Sequence, residues 1–178
     1  ALFVILFAEY LRWTGDHFLA EELRPHLDLA LRWILGPGQD EGYLTYTRRS
    51  PVGLGNQGWK DSHDAIMHAS GELASAPIAL VEAQGYKYAA LLGGAEIAET
   101  LDRGDGVRLR HTARRLREQF EADFWQESEG FYALALDGMG RPCRVISSNP
   151  AHGLWTGIVD ERRAGAVGAG LLSSEMFS

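Results

Sequence analysis

A chain of 178 residues, 46% hydrophobic and 23% charged, has the composition of a globular protein able to bury a sizeable core within one domain. Its net charge of −7 argues against a nucleic-acid partner, because neutralising phosphates requires a basic face. A single cysteine, Cys143, excludes an internal disulfide and a cysteine-built metal cluster, and it fits a reducing, cytoplasmic setting.

Residues 1–8 are apolar, but Glu9 follows, so the run is too short to span a bilayer. It lacks the basic leader and cleavage site of a signal peptide, and no membrane partner is expected. There is no initiator Met and no closing polar tail, and an internal segment of a longer protein is expected. Phe3, Phe7, Tyr10 and Leu11 recur at helical spacing and Gly15 can stop the helix. Nearly every position in residues 2–8 is apolar, which predicts a helix buried on all sides. Asp16 is a plausible N-cap for a second helix with the stripe Leu19, Leu23, Leu27, Ala30, Leu31 and Ile34, and Pro25 predicts a kink or break within it. Gly36-Pro37-Gly38 ends it.

Residues 40–46 read as a turn and a short extended piece. The next stretch, Gly55-Asn56-Gln57-Gly58-Trp59-Lys60-Asp61-Ser62-His63-Asp64, has no hydrophobic period and is dense in hydrogen-bonding groups, so it reads as a functional loop. Residues 64–68 could form one helical turn, and Ser70-Gly71-Glu72 turns the chain again. Pro77 is placed as the first residue of a third helix running to Leu101, rich in Ala and Gly and therefore deep inside. Residues 107–125 form the clearest amphipathic helix, with Leu109, Ala113, Leu116, Phe120 and Phe124 on its apolar side. Residues 129–136 read as a strand, with residues 144–146 pairing back as a small hairpin. A second polar loop covers residues 147–156, and a last helix lies near residues 160–171. The class is all-α, with long loops after each helical pair.

In the first loop Asp61 and Asp64 could each act as acid, base or ligand. Trp59 offers a flat apolar face, while Asn56, Gln57 and Ser62 can bind hydroxyls, a mixture that suits a neutral polyhydroxylated ligand. The bland alternative is that Asp61 caps a helix and Trp59 is core. Glu82 and Tyr86 are four apart on one helical face and must find partners or line a wet cavity if that helix is buried. Asn149 and His152 could contact substrate or be structural. The six histidines form no ligand-spaced set, and no metal or other cofactor is expected.

Three blocks carry a resemblance: residues 56–66, Pro77-Ile78-Ala79-Leu80-Val81-Glu82-Ala83-Gln84-Gly85-Tyr86, and Ser148-Asn149-Pro150-Ala151-His152-Gly153-Leu154-Trp155-Thr156-Gly157. In that order the chain resembles bacterial enzymes of the amylo-α-1,6-glucosidase (glycogen debranching) type. The resemblance implies an (α/α)6 toroid of helical hairpins, shared with glucoamylase-like and trehalase-like glycosidases, of which residues 1–178 would be one incomplete catalytic domain. It implies an inverting hydrolase of α-glucosides acting on an oligosaccharide, with carboxyls roughly 6.5–9.5 Å apart. The Trp59-Lys60-Asp61 match makes Asp61 the general acid, a role that calls for a raised pKa. Trp59, Gln57, Glu82, Tyr86, Asn149 and His152 become substrate-site residues. The base, usually a Glu, is expected beyond this segment, and Glu175 is not assigned to it. An incomplete toroid would expose an apolar edge open to self-association. The alternatives are a non-catalytic carbohydrate-binding or helical interaction module, and a toroid isomerase using His152 as proton carrier.

Overall fold

The computed structural model describes residues 1–36, 42–174 and 176. The expected turn at residues 40–46 therefore lies partly outside the described residues, as does Glu175. The chain divides into two compact units, Ala1–Tyr43 with Tyr86–Glu118 and Leu44–Gly85 with Gln119–Ser178. The described residues are mainly helical, with two small antiparallel strand pairs. Among them, no helix is long and apolar enough to cross a membrane.

The first unit holds α1 (Leu2–Thr14), α2 (His17–Ile34), most of α3 (Val81–Thr100) and most of α4 (Gly106–Asp123). Gly15 closes α1 in the left-handed region at φ 64, and its amide donates to the Leu11 carbonyl. Asp16 then caps α2 by accepting from the Leu19 amide at 3.0 Å, as the sequence predicts. Two expectations are corrected here. The helix α1 is not buried on all sides: Val4, Ile5, Phe7, Ala8 and Leu11 are buried, whereas Leu6 is 70% and Trp13 85% exposed. Nor does Pro25 break α2, which runs unbroken across it. Pro25 and Glu21 both lie on the exposed side, so the Glu21 carbonyl that Pro25 cannot satisfy is within reach of water.

The small residues of α3 explain its depth. A Cβ on Gly93 would stand 2.8 Å from the Ala8 Cβ, and one on Gly94 would stand 2.9 Å from Leu31 Cδ2. Both glycines thus let α1 and α2 approach the α3 backbone. The predicted stripe Leu109, Ala113, Leu116 and Phe120 on α4, with Phe124 just past its end, is buried throughout.

In the second unit, β1 (Ala79–Leu80) pairs with β4 (Ala135–Leu136) in the register Ala79↔Leu136, Leu80↔Ala135. The hairpin is β2 (Trp125–Gln126) with β3 (Phe131–Tyr132). A core of Ile66, Ile78, Leu80, Leu134, Ala135 and Cys143 joins these pieces, with Tyr46 packed against it. Pro77 does not begin a helix: residues 78–80 are extended, Ile78 exchanges both backbone hydrogen bonds with Tyr46, and α3 starts at Val81. Residues 144–146 do not form the returning strand. The pairing occurs earlier, where Cys143 donates to Ala135 and accepts from Leu134. Residues 64–68 are not a helical turn either. A tight turn closes from Ala65 N–H to the Ser62 carbonyl, and Met67 bridges Leu73. Inside the second polar loop a short helix, α5 (Ala151–Thr156), precedes α6 (Glu161–Leu171), which Asp160 caps.

Candidate functional site

The site is built within the second unit, at the point where β1 turns into α3. Extended residues 78–80 are held by Tyr46 and by β4, so the first turn of α3 is anchored before it begins. Gln84 fixes that turn from the side. Its Oε1 accepts from the Leu44 amide at 2.8 Å, and its Nε2 donates to the Leu44 and Leu80 carbonyls at 2.9 and 2.8 Å. Glu82 stands in this anchored first turn and is 2% exposed.

Three residues on from Glu82, and on the same face, the helix carries Gly85. The absence of a side chain matters there, because a Cβ on Gly85 would stand 2.6 Å from Thr156 Oγ1. Glycine therefore lets α5 lie against the start of α3. Thr156 ties off α5 by donating to the His152 carbonyl at 2.8 Å. The approach brings Asn149, buried just before α5, onto the carboxyl, and Asn149 Nδ2 donates to Glu82 Oε1 at 2.9 Å.

The loop of residues 55–61 covers the same carboxyl. A Cβ on Gly58 would overlap Leu80 Cδ1 and stand 3.3 Å from Glu82 Oε1, so glycine lets the backbone lie here without displacing the Leu80 side chain. Asn56 braces the loop, accepting from the Tyr46 hydroxyl at 2.8 Å and donating to the Ser62 carbonyl at 2.6 Å. Beyond Gly58, Trp59 is 68% exposed and lies parallel to His152, with ring centroids 6.4 Å apart and planes 8° apart.

Glu82 therefore has one engaged oxygen and one that is not: Oε2 is buried with no hydrogen-bond partner among the described residues. Burial raises its pKa above the ordinary carboxylate value. This outweighs its own backbone amide, the Asn149 amide, and the charges of His152 and Lys60. Tyr46 is likewise pushed up to about 12, first by burial, with the Gln57 backbone amide opposing and the Glu82 carboxyl adding to the rise. The cluster combines a carboxyl whose pKa burial raises, a carboxamide, an imidazole and a largely exposed indole.

Of the residues singled out in the sequence, the fold brings Trp59, Glu82, Asn149 and His152 together. Gln57 and Asp61 are exposed on the same loop. Tyr86 is half-buried one helical turn beyond Glu82 and belongs to the first unit. Asn56 is bracing rather than open to ligand, since both ends of its amide are engaged within the protein. Tyr46 and Thr156 have roles that sequence reading misses. Gly85 is the available signal, a helix-interior glycine next to a polar band. Among the described residues, no group of three His, Cys, Asp or Glu side chains is placed to hold a metal ion. Compared with models of known protein families the chain matches none, and no curated protein matches it.

Proposed function

We propose that this chain is part of an inverting glycoside hydrolase acting on α-glucosidic linkages, of the α-1,6-glucosidase type, with an incomplete (α/α)6 toroid as its scaffold. The observation that carries the reading is the cluster itself: Trp59 stacked on His152 beside a Glu82–Asn149 pair. A flat aromatic face for a sugar ring beside hydrogen-bonding groups for hydroxyls is what a neutral saccharide requires. The helical character of the described residues and the ordered blocks of resemblance agree with it.

In this reading Asp61, exposed on the loop that carries Trp59, is the general acid that protonates the leaving oxygen. The water-activating base is a different group. Glu82 has one oxygen engaged by Asn149 and the other closed to solvent, which leaves no place for an attacking water. Asp64 is exposed and lies 3.9 Å from His63. The base is thus assigned outside these residues, and this chain alone is expected to be weakly active or inactive. Substrate is an oligosaccharide, and the setting is cytoplasmic. The α1 stripe of Leu6 and Trp13, flanked by the half-exposed Leu2 and Phe3, is the apolar edge through which a second copy would associate.

The test is hydrolysis of maltooligosaccharide and branched glucan by the chain alone and by the chain joined to the sequence encoded after it. The joined protein should hydrolyse one of them, and Asp61→Asn should lower the rate roughly 10²–10⁴-fold while leaving sugar affinity in place. Full activity of the 178 residues alone would defeat the assignment of the base. Undiminished hydrolysis by Asp61→Asn would defeat that of the acid. The second reading, a non-catalytic sugar-binding module, is favoured by the exposure of Asp61, and it predicts binding without hydrolysis in both forms.

A further inference from the structure

The two oxygens of Glu82 have different surroundings, and the difference assigns a proton. Oε1 accepts from Asn149, so in the neutral acid it is the carbonyl oxygen, and the hydroxyl falls on Oε2. That oxygen has no partner among the described residues, although the residue is only 2% exposed. A buried hydroxyl left unpaired is destabilising. We propose that Glu82 is a ligand-recognition residue whose Oε2–H donates a hydrogen bond to a hydroxyl oxygen of a neutral, polyhydroxylated ring seated against Trp59.

This rests on the saccharide reading above and narrows it. It makes recognition at this point depend on a donated proton from an uncharged acid, not on a carboxylate accepting from the sugar. The groups facing Glu82 are consistent with that division. Lys60 on the loop and His152 on α5 act on it through their charge, the Tyr46 hydroxyl lies nearby, and Asn149 is the side chain that donates to it. Because Oε2 is closed to solvent, entry of a hydroxyl requires the groups packed around it to shift.

The experiment is calorimetric titration of the chain with maltopentaose from about pH 5 to about pH 9, a window above the ordinary glutamate value. Wild type, Glu82→Gln and Glu82→Ala are compared. Gln keeps a donor where Oε2–H stood and cannot ionise. Wild-type affinity should fall about tenfold or more as pH rises through the Glu82 titration. Glu82→Gln should stay within about threefold of the low-pH wild type and lose the pH dependence, while Glu82→Ala should bind about tenfold more weakly than low-pH wild type at every pH. Circular dichroism shows whether the Ala variant folds, and where it does not, the Gln variant decides. A pH profile in Glu82→Gln identical to wild type would place the titrating group elsewhere and overturn the assignment. So would wild-type affinity in a folded Glu82→Ala. No binding of maltopentaose by wild type at any pH would overturn the saccharide reading together with this one, whereas binding that ignores Glu82 overturns this one alone.

Discussion

Two buried carboxyls of the second unit are held in opposite ways. Asp137 is saturated. Its Oδ1 accepts from the Met139 and Arg141 amides, both at 2.9 Å, and its Oδ2 accepts from Arg141 Nε at 2.8 Å and lies 3.2 Å from His68 Nε2. Arg141 also reaches Glu72 at 2.9 Å, which extends the network to the turn after His68. Glu82, as buried as Asp137, accepts from one side chain and keeps an orphaned oxygen. Burial raises both pKa values, but at Asp137 the backbone amides and the guanidinium reverse the effect and bring it to about 2, while at Glu82 burial prevails. A carboxyl whose lone pairs are all engaged stabilises the fold. One left half-satisfied carries a cost in stability, and in the reading proposed above a ligand hydroxyl completes it.

The largest effect should come from the saturated side. Removing Asp137 strands Arg141 and two backbone amides, and Asp137→Ala is expected to lose about 3 kcal/mol, read as a shift in the urea midpoint. The loss should leave sugar binding at neutral pH intact in the folded fraction. An unchanged midpoint would mean the network contributes nothing and would remove one half of the contrast.

Next comes the roof over Glu82. In Gly58→Ala the new Cβ meets Leu80 Cδ1 and crowds Glu82 Oε1, so either the buried Leu80 side chain or the loop must move. About 1–3 kcal/mol of destabilisation is expected, with maltopentaose affinity reduced as Trp59 leaves His152. Tryptophan fluorescence and calorimetry read the two effects, and a variant that matches wild type in both would contradict the close approach.

The smallest effect is a difference in sign. Asp137 has a depressed folded pKa, so its stabilisation is complete above the ordinary aspartate value of about 3.9 and is lost as pH falls toward about 2. Glu82 has a raised folded pKa. It holds a proton that the unfolded chain has released, so its contribution falls as pH rises from about 4.3 toward its folded value and is level beyond it. Glu82→Gln should therefore flatten the decline in stability above about pH 4.3 and leave acid unfolding unchanged. Asp137→Asn should do the reverse. Parallel curves for the two variants would sink the comparison.

How much of this is readable from the chain alone follows from what each residue depends on. The α4 stripe recurs every three or four residues from Leu109 to Phe124, so periodicity alone marks its buried side. Loop 55–64 is legible for the opposite reason, having no period and too many polar groups to bury. The two-residue strands β1 and β4 are not legible, because each is defined by a partner far along the chain, as in Ala79↔Leu136, and 2 residues carry no alternation. The same limit applies to Pro77, which suits a helix start locally but precedes residues claimed by Tyr46 and β4. Exposure of Leu6 and Trp13 escapes the pattern because an apolar helix predicts burial without saying what covers it. At the site, residue types name the candidates, but only the fold separates Asn56, engaged at both ends, from Asn149, which meets Glu82.

The contrast between the two carboxyls is decided by following the side-chain carboxyl ¹³C resonance of Glu82 with pH in the unliganded protein, assigned by its loss in Glu82→Gln. The expected result is a carboxyl that titrates above the ordinary glutamate value of about 4.3, while Asp137 in the same sample stays ionised down to about 2. A Glu82 that titrates at or below the ordinary value would contradict it.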